Sequence, residues 1–386
     1  MVFFLAPRAR AQDLRIIQSQ HYRIHTDLDE EIVSDLSHRM DAMYDEYARR
    51  LADFPRPDDS VPLEAYLVRT KEKYLHLVGL TMAGTGGAFN ANRHLLAAFL
   101  DGQGADALRR TLQHEAFHQF AFDAIGRNIP IWLNEGLAQV FEEGIWTGSG
   151  FLLGQVPPRR LRQLHADIEG GSLIQFPDLL AMDAPGWAKG WRDPARSATQ
   201  YNQSWAMAHF LVYATDEQGR LKYRSRLIEM LKLLRSGTNG QDAFRAAFSA
   251  NIDGFRDRFS EYADDLAATP QATLIEHQGV LADILIAMSQ HGRTFSDFEE
   301  FKRLCIAEDW RIHYTLGGLQ WSSANDPSIY FCSPGNGADG PDVQHFELAA
   351  NRPLPDLVCE CAGLRLRTRF SQGASKMEHE TIVAGL

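Results

Sequence analysis

Two histidines with three residues between them, His114 and His118 in the run HEAFH, can hold one metal ion if the run is helical. Residues four apart project from the same helix face, one turn above each other. Neutral imidazoles suit zinc. Glu115, next to the first histidine, then stands beside any water polarised at that ion. It can take the proton of that water as it attacks a carbonyl, and pass it to the leaving nitrogen.

The segment WLNEGLAQVFE follows Pro130 and supplies Glu135, with sixteen residues between it and His118. It reads as the start of a second helix, where a third ligand is needed. Three protein ligands leave a fourth position for water, the coordination of a catalytic rather than a structural zinc. A structural site would need a fourth protein ligand, and Cys305, Cys332, Cys359 and Cys361 all lie far down the chain. Asn134 and Gln139 flank Glu135, and either amide oxygen could accept the free ring N–H of a ligating histidine. The alternative for each is a solvated helix residue.

HEAFHQF followed by PIWLNEGLAQVFE resembles the gluzincin branch of the zincin metallopeptidases, most closely the peptidase MA-like family of the DUF1570 type. The likeness covers roughly residues 20 to 268 and includes YNQSWAMAHFL. It implies a zinc peptidase fold acting on a peptide or protein substrate. It also offers Tyr201 as donor of a hydroxyl to the oxyanion; an aromatic capping the next helix is the other reading. His209 reads as a packed histidine. The resemblance further implies an edge strand before the metal helix that pairs with extended substrate, and the run from Leu95 to Leu100 is the candidate.

The elements that must position these groups can be read from periodicity. A strand is expected at His21–His25, a helix over 29–54 and a strand over 62–69. The glycines Gly84, Gly86 and Gly87 read as turn residues before extended segments at 88–90 and 94–100. The metal helix is expected from an N-cap at Asp106 to about Phe122, and the next from Leu133 to Glu143. Residues 144–200 read as a long irregular stretch that could wall or cover the cleft. Helices are expected at 202–214, 221–236 and 252–267, then, beyond a boundary at Pro270, at 274–289 and 296–306. Strands are expected at 310–316, 328–332, 345–348 and 357–370.

The fold class is therefore α+β: a zincin-like catalytic domain over residues 13–268, with a small mixed sheet, the HExxH helix and a mainly helical lower part, and a smaller C-terminal mixed domain over 271–386. At 386 residues, 45% hydrophobic and 23% charged, the chain has a globular composition. Its net charge of -11 argues against a nucleic-acid partner. No apolar run reaches the length of a membrane span.

Residues 1–12 resemble the remnant of a signal peptide, which points to export to a periplasm or exterior, with the cytoplasm as the alternative. Four cysteines permit one or two bridges in an exported protein; Cys359 and Cys361, two residues apart, would strain a bridge between themselves. The reading from another functional class is a non-catalytic zinc-binding or interaction protein on the same scaffold. An intact Glu115 favours catalysis.

Overall fold

The computed structural model describes residues 14–56, 61–102, 104–316, 318–325, 327–330, 344–348, 352–373 and 376–385. The expected signal-peptide remnant and Cys332 lie outside the described residues. The protein is a mixed α+β structure that divides into two compact units. One holds residues 1–49 and 56–120, the other residues 50–55 and 121–386. The boundary expected near residue 270 falls inside the second unit.

The first unit is built on a five-stranded sheet of β1 (Arg15–Gln18), β2 (Tyr22–Thr26), β3 (Leu63–Val68), β4 (Gly87–Asn90) and β5 (Leu95–Phe99). The spatial order is β1-β2-β3-β5-β4. β2, β3 and β5 run parallel, while β1 and β4 are antiparallel edges. In β2 the alternation Tyr22, Ile24, Thr26 turns to the core, leaving Arg23 and His25 half-buried on the other face. All five residues of β5 are buried, as an apolar run flanked by strands on both sides should be. The run from Leu95 is thus an interior strand, and the edge expected there belongs to β4.

The helices of this unit are α1 (Glu30–Arg50), α2 (Lys71–Val78) and α3 (Ala105–Ala124). Asp106 lies within the first turn of α3 rather than capping it, where its carboxylate suits the positive end of the helix and pairs with Arg109 at 2.8 Å. Two polar bolts set the position of α3. The buried Tyr47 hydroxyl donates to the Gln113 carbonyl at 2.6 Å, and the buried Gln119 amide donates to the Glu64 carbonyl of β3 at 3.1 Å. Around them Tyr47 meets Phe117 edge-on at 5.6 Å, so α3 is held by both packing and hydrogen bonds.

The second unit opens with α4 (Ile131–Glu142). A short hairpin of β6 (Ile145–Trp146) and β7 (Phe151–Leu152) follows, then α5 (Pro158–Glu169), α6 (Phe176–Ala181), α7 (Ala184–Gly190) and α8 (Pro194–Tyr213). The expectation of an irregular stretch over 144–200 is corrected. Leu161, Leu164, Phe176, Leu179 and Trp187 are buried, and each of α5 to α8 carries a proline in its first turn. Proline has no N–H to lose there, so it starts these helices instead of breaking them.

Next come α9 (Arg224–Arg235), α10 (Gly240–Ala247), α11 (Ile252–Asp265), α12 (Pro270–Gln290) and α13 (Phe298–Ala307). Pro270 is again a first-turn residue. β8 (His313–Leu316) and β9 (Leu319–Ser322) form a hairpin. A four-stranded antiparallel sheet follows: β10 (Gln344–Glu347), β11 (Asp356–Cys361), β12 (Leu364–Gln372) and β13 (Met377–Gly385). Residues 327–330 form a 3-10 turn where a strand is expected. Leu281, Leu285 and Met288 of α12 share a core with Phe301, Leu357 and Phe370, and Gln278 donates to the Leu357 carbonyl at 2.9 Å. Cys359 is disulfide-bonded. Cys305 is a buried thiol whose pKa burial pushes up to about 12, which makes it a packing residue.

Candidate metal centre

His114, Glu115 and His118 stand on α3, half-buried, one turn or less apart. The Nε2 atoms of the two histidines converge to 3.0 Å, with the rings near-perpendicular and their centroids 4.7 Å apart. Glu135, also half-buried, completes the set: one ligand atom from each of the three lies within 4.8 Å of the others. Two imidazoles and a carboxylate are a donor set for zinc, and a single ion with ligand bonds of about 2.0–2.2 Å can gather atoms at this spacing. The residues present therefore fit a metal ion.

The carboxylate of Glu115 has a fixed partner. Its Oε2 accepts the backbone N–H of Phe89 on β4 at 2.8 Å. Gly86 accepts from Phe99 of the neighbouring strand, so alternate residues, Gly87 and Phe89, turn their backbone groups away from β5. The strand can run this close to the helix because Gly87 lacks a side chain: a Cβ there would sit 2.5 Å from the Thr111 methyl of α3.

On α4, Trp132 and Leu133 are fully buried and leave Asn134 and Glu135 half-buried on the adjoining face. Gly136 allows α4 to touch α8. A Cβ at Gly136 would lie 2.9 Å from the Ala208 Cβ and closer still to the Ser204 carbonyl oxygen. Gln139 is buried, and its amide donates to the carbonyls of Glu135 and Tyr201 while its oxygen accepts from Arg160. These partners are not the histidine rings that the sequence suggested for it.

Tyr201 lies two turns inside α8, so it does not cap that helix. It is half-buried, and its ring meets Trp187 edge-on at 5.0 Å. Phe89, Gly136, Arg160 and Trp187 are the supporting residues that sequence reasoning missed. For Gly136 a signal existed, a glycine inside a helical pattern, which often marks close backbone contact.

His209 is a packed histidine, as expected from the sequence. It is 4% exposed, and its Nδ1 lies 2.7 Å from the Tyr262 hydroxyl. Burial lowers its pKa from 6.5 to about 4. Between those two values the unfolded chain takes up a proton that the folded protein refuses. The stability contributed by neutral His209 is therefore full above about pH 6.5, falls as pH drops towards 4 and is lost below that. Urea titrations at pH 7 and pH 4.5 should show a His209→Gln protein losing less stability on acidification than wild type, by on the order of 2–3 kcal/mol. An equal loss in both would show that His209 is not the titrating group.

The elements thus define an α+β protein with a candidate metal centre borne on two helices. A family model described as "Protein of unknown function (DUF1570)" matches residues 109–226. That stretch includes His114, Glu115, His118, Glu135 and Tyr201. No curated protein matches the chain.

Proposed function

We propose that this protein is a zinc-dependent peptidase of the gluzincin type, with His114, His118 and Glu135 as metal ligands and Glu115 as general base. The observation that carries the reading is the convergence of the two Nε2 atoms and the Glu135 carboxylate, with Glu115 on the same helix tied to an edge strand. Bound zinc supplies a Lewis acid that polarises the carbonyl and acidifies water.

Glu115 takes the proton of the attacking water and delivers it to the leaving nitrogen. The Phe89 N–H holds one carboxylate oxygen, which orients the other for that transfer. Tyr201 donates its hydroxyl to the developing oxyanion. Asn134 orients a ligand histidine through its amide oxygen. An extended peptide or protein substrate lies along β4 at the outward Gly87 backbone and the Phe89 carbonyl, leaving the Phe89 N–H on Glu115.

The proposed scaffold is zincin-like, and the sheet of the first unit and α3 are among its elements. Among the described residues no helix is long and apolar enough to cross a membrane. Export to an oxidising compartment is part of the proposal and is supported by the disulfide at Cys359.

The test is metal content by plasma mass spectrometry together with cleavage of an unbiased peptide library. Wild type should carry about one zinc per chain, and a His114→Ala, His118→Ala protein should carry none. Absence of zinc from wild type after exposure to the ion would sink the ligand assignment. Zinc without cleavage would favour a binding protein on the same scaffold.

A further inference from the structure

Buried Gln139 and Glu143 and half-buried Arg160, at the junction of α4, α5 and α8, have no part in the chemistry proposed above. Gln139 of α4 donates from Nε2 to the Glu135 carbonyl at 3.1 Å and to the Tyr201 carbonyl at 3.0 Å. Its Oε1 accepts from Arg160 Nη1 at 2.6 Å. The orientation of the amide follows from chemistry, because a guanidinium can only donate and the two carbonyls can only accept.

Arg160 is itself clamped. Its Nε donates to Glu143 Oε1 at 2.8 Å, its carbonyl accepts from Asn202 at 3.0 Å, and its guanidinium lies 5.5 Å above the Trp205 ring. The Glu143 side chain is 3% exposed and has Arg159 as a second cationic partner. Burying an amide and a glutamate is costly unless each is paired, and here the half-buried Arg159 and Arg160 pair them. Apolar residues could join three helices at lower cost. What they could not do is name which residue of α8 sits opposite Glu135.

We propose that Arg160 and Gln139 form a positioning relay that fixes Glu135 and Tyr201 relative to one another, so that the third metal ligand and the oxyanion donor are set by one hydrogen-bonded amide. The inference rests on the ligand assignment made above. Neither residue touches substrate or metal; both act through the backbone of residues that do. Arg160 holds the amide plane, and the amide in turn holds the carbonyls of α4 and α8 in register.

The test uses the full chain and three variants. Gln139→Glu keeps an acceptor for Arg160 but has no N–H for the two carbonyls. Arg160→Met removes the anchor. Arg159→Met is the control, since it takes the other arginine from Glu143 without touching Gln139. Zinc affinity is measured by chelator competition, and amide hydrogen exchange is followed over residues 135–139 and 201–205.

The relay predicts zinc binding weakened by about 10–100-fold in Gln139→Glu and Arg160→Met but unchanged in Arg159→Met. It also predicts faster exchange in both segments for the first two variants alone. Unchanged zinc affinity in Gln139→Glu, or an equal loss in Arg159→Met, would overturn it. If wild type takes up no zinc, the metal reading fails by itself. The relay is then decided by exchange: acceleration confined to the first two variants supports it, and identical exchange in all three refutes it.

Discussion

A Glu115→Gln protein should keep about one zinc per chain and cleave peptides about 10²–10⁴-fold more slowly than wild type. The substitution changes little but the proton chemistry. Glutamine has nearly the shape of glutamate, and its amide oxygen can still accept the Phe89 N–H that Glu115 accepts at 2.8 Å. His114 and His118 stay on the same helix with their Nε2 atoms converging, so the ligands are preserved. The amide cannot take up the proton of an attacking water, so the cleavage step loses its base. Zinc content and single-turnover cleavage on the same preparation check this. Full activity in the variant would place the base elsewhere, and loss of zinc would assign Glu115 a role in building the site.

The second large effect is expected at a residue with no side chain. Gly136→Ala would place a Cβ against the Ser204 carbonyl and 2.9 Å from the Ala208 Cβ, and backbone on a packed helix does not move aside cheaply. Overpacking of this kind costs about 1–3 kcal/mol or more, and relief requires α4 to move away from α8. Glu135 precedes Gly136, so that motion carries the ligand with it. The variant should therefore show a lowered urea midpoint together with weakened zinc binding. Ser204→Gly would not restore it, because the obstruction is the carbonyl and not the serine side chain. A variant as stable as wild type, with normal zinc affinity, would show that the helices yield more easily than this packing implies.

The candidate ligands were legible because they depend on covalent spacing. Three residues between histidines fix a shared helix face, and Pro130 announces the helix that bears Glu135. The strands with alternating burial were legible too, β2 and β3 among them. β1 was not, since three of its four residues are exposed and it carries no alternation to read. The largest misreading, residues 144–200, missed four helices in a stretch rich in aromatics, glycines and prolines. Pro158, Pro177, Pro185 and Pro194 each stand in a first helical turn, where a missing N–H costs nothing.

Leu95–Phe99 was assigned the wrong place in the sheet for a different reason. The edge came from the family resemblance, whereas its continuous apolar run, typical of a strand buried on both faces, is the signature of an interior strand. Gln139 was singled out from the sequence, but for a different partner. Its partners come from residues 160 and 201, and nothing local announces them.

The pairing of Phe89 with Glu115 has a consequence for how copies of this protein behave towards each other. A strand bonded on one flank is a template on which another chain can add, and proteins that leave such a flank bare tend to aggregate. β4 is four residues long. One of its two outward residues already gives its N–H to a carboxylate. A strand from a neighbouring molecule would have to displace a charge-assisted hydrogen bond to dock there. The group proposed to perform catalysis thus also guards the sheet against self-association.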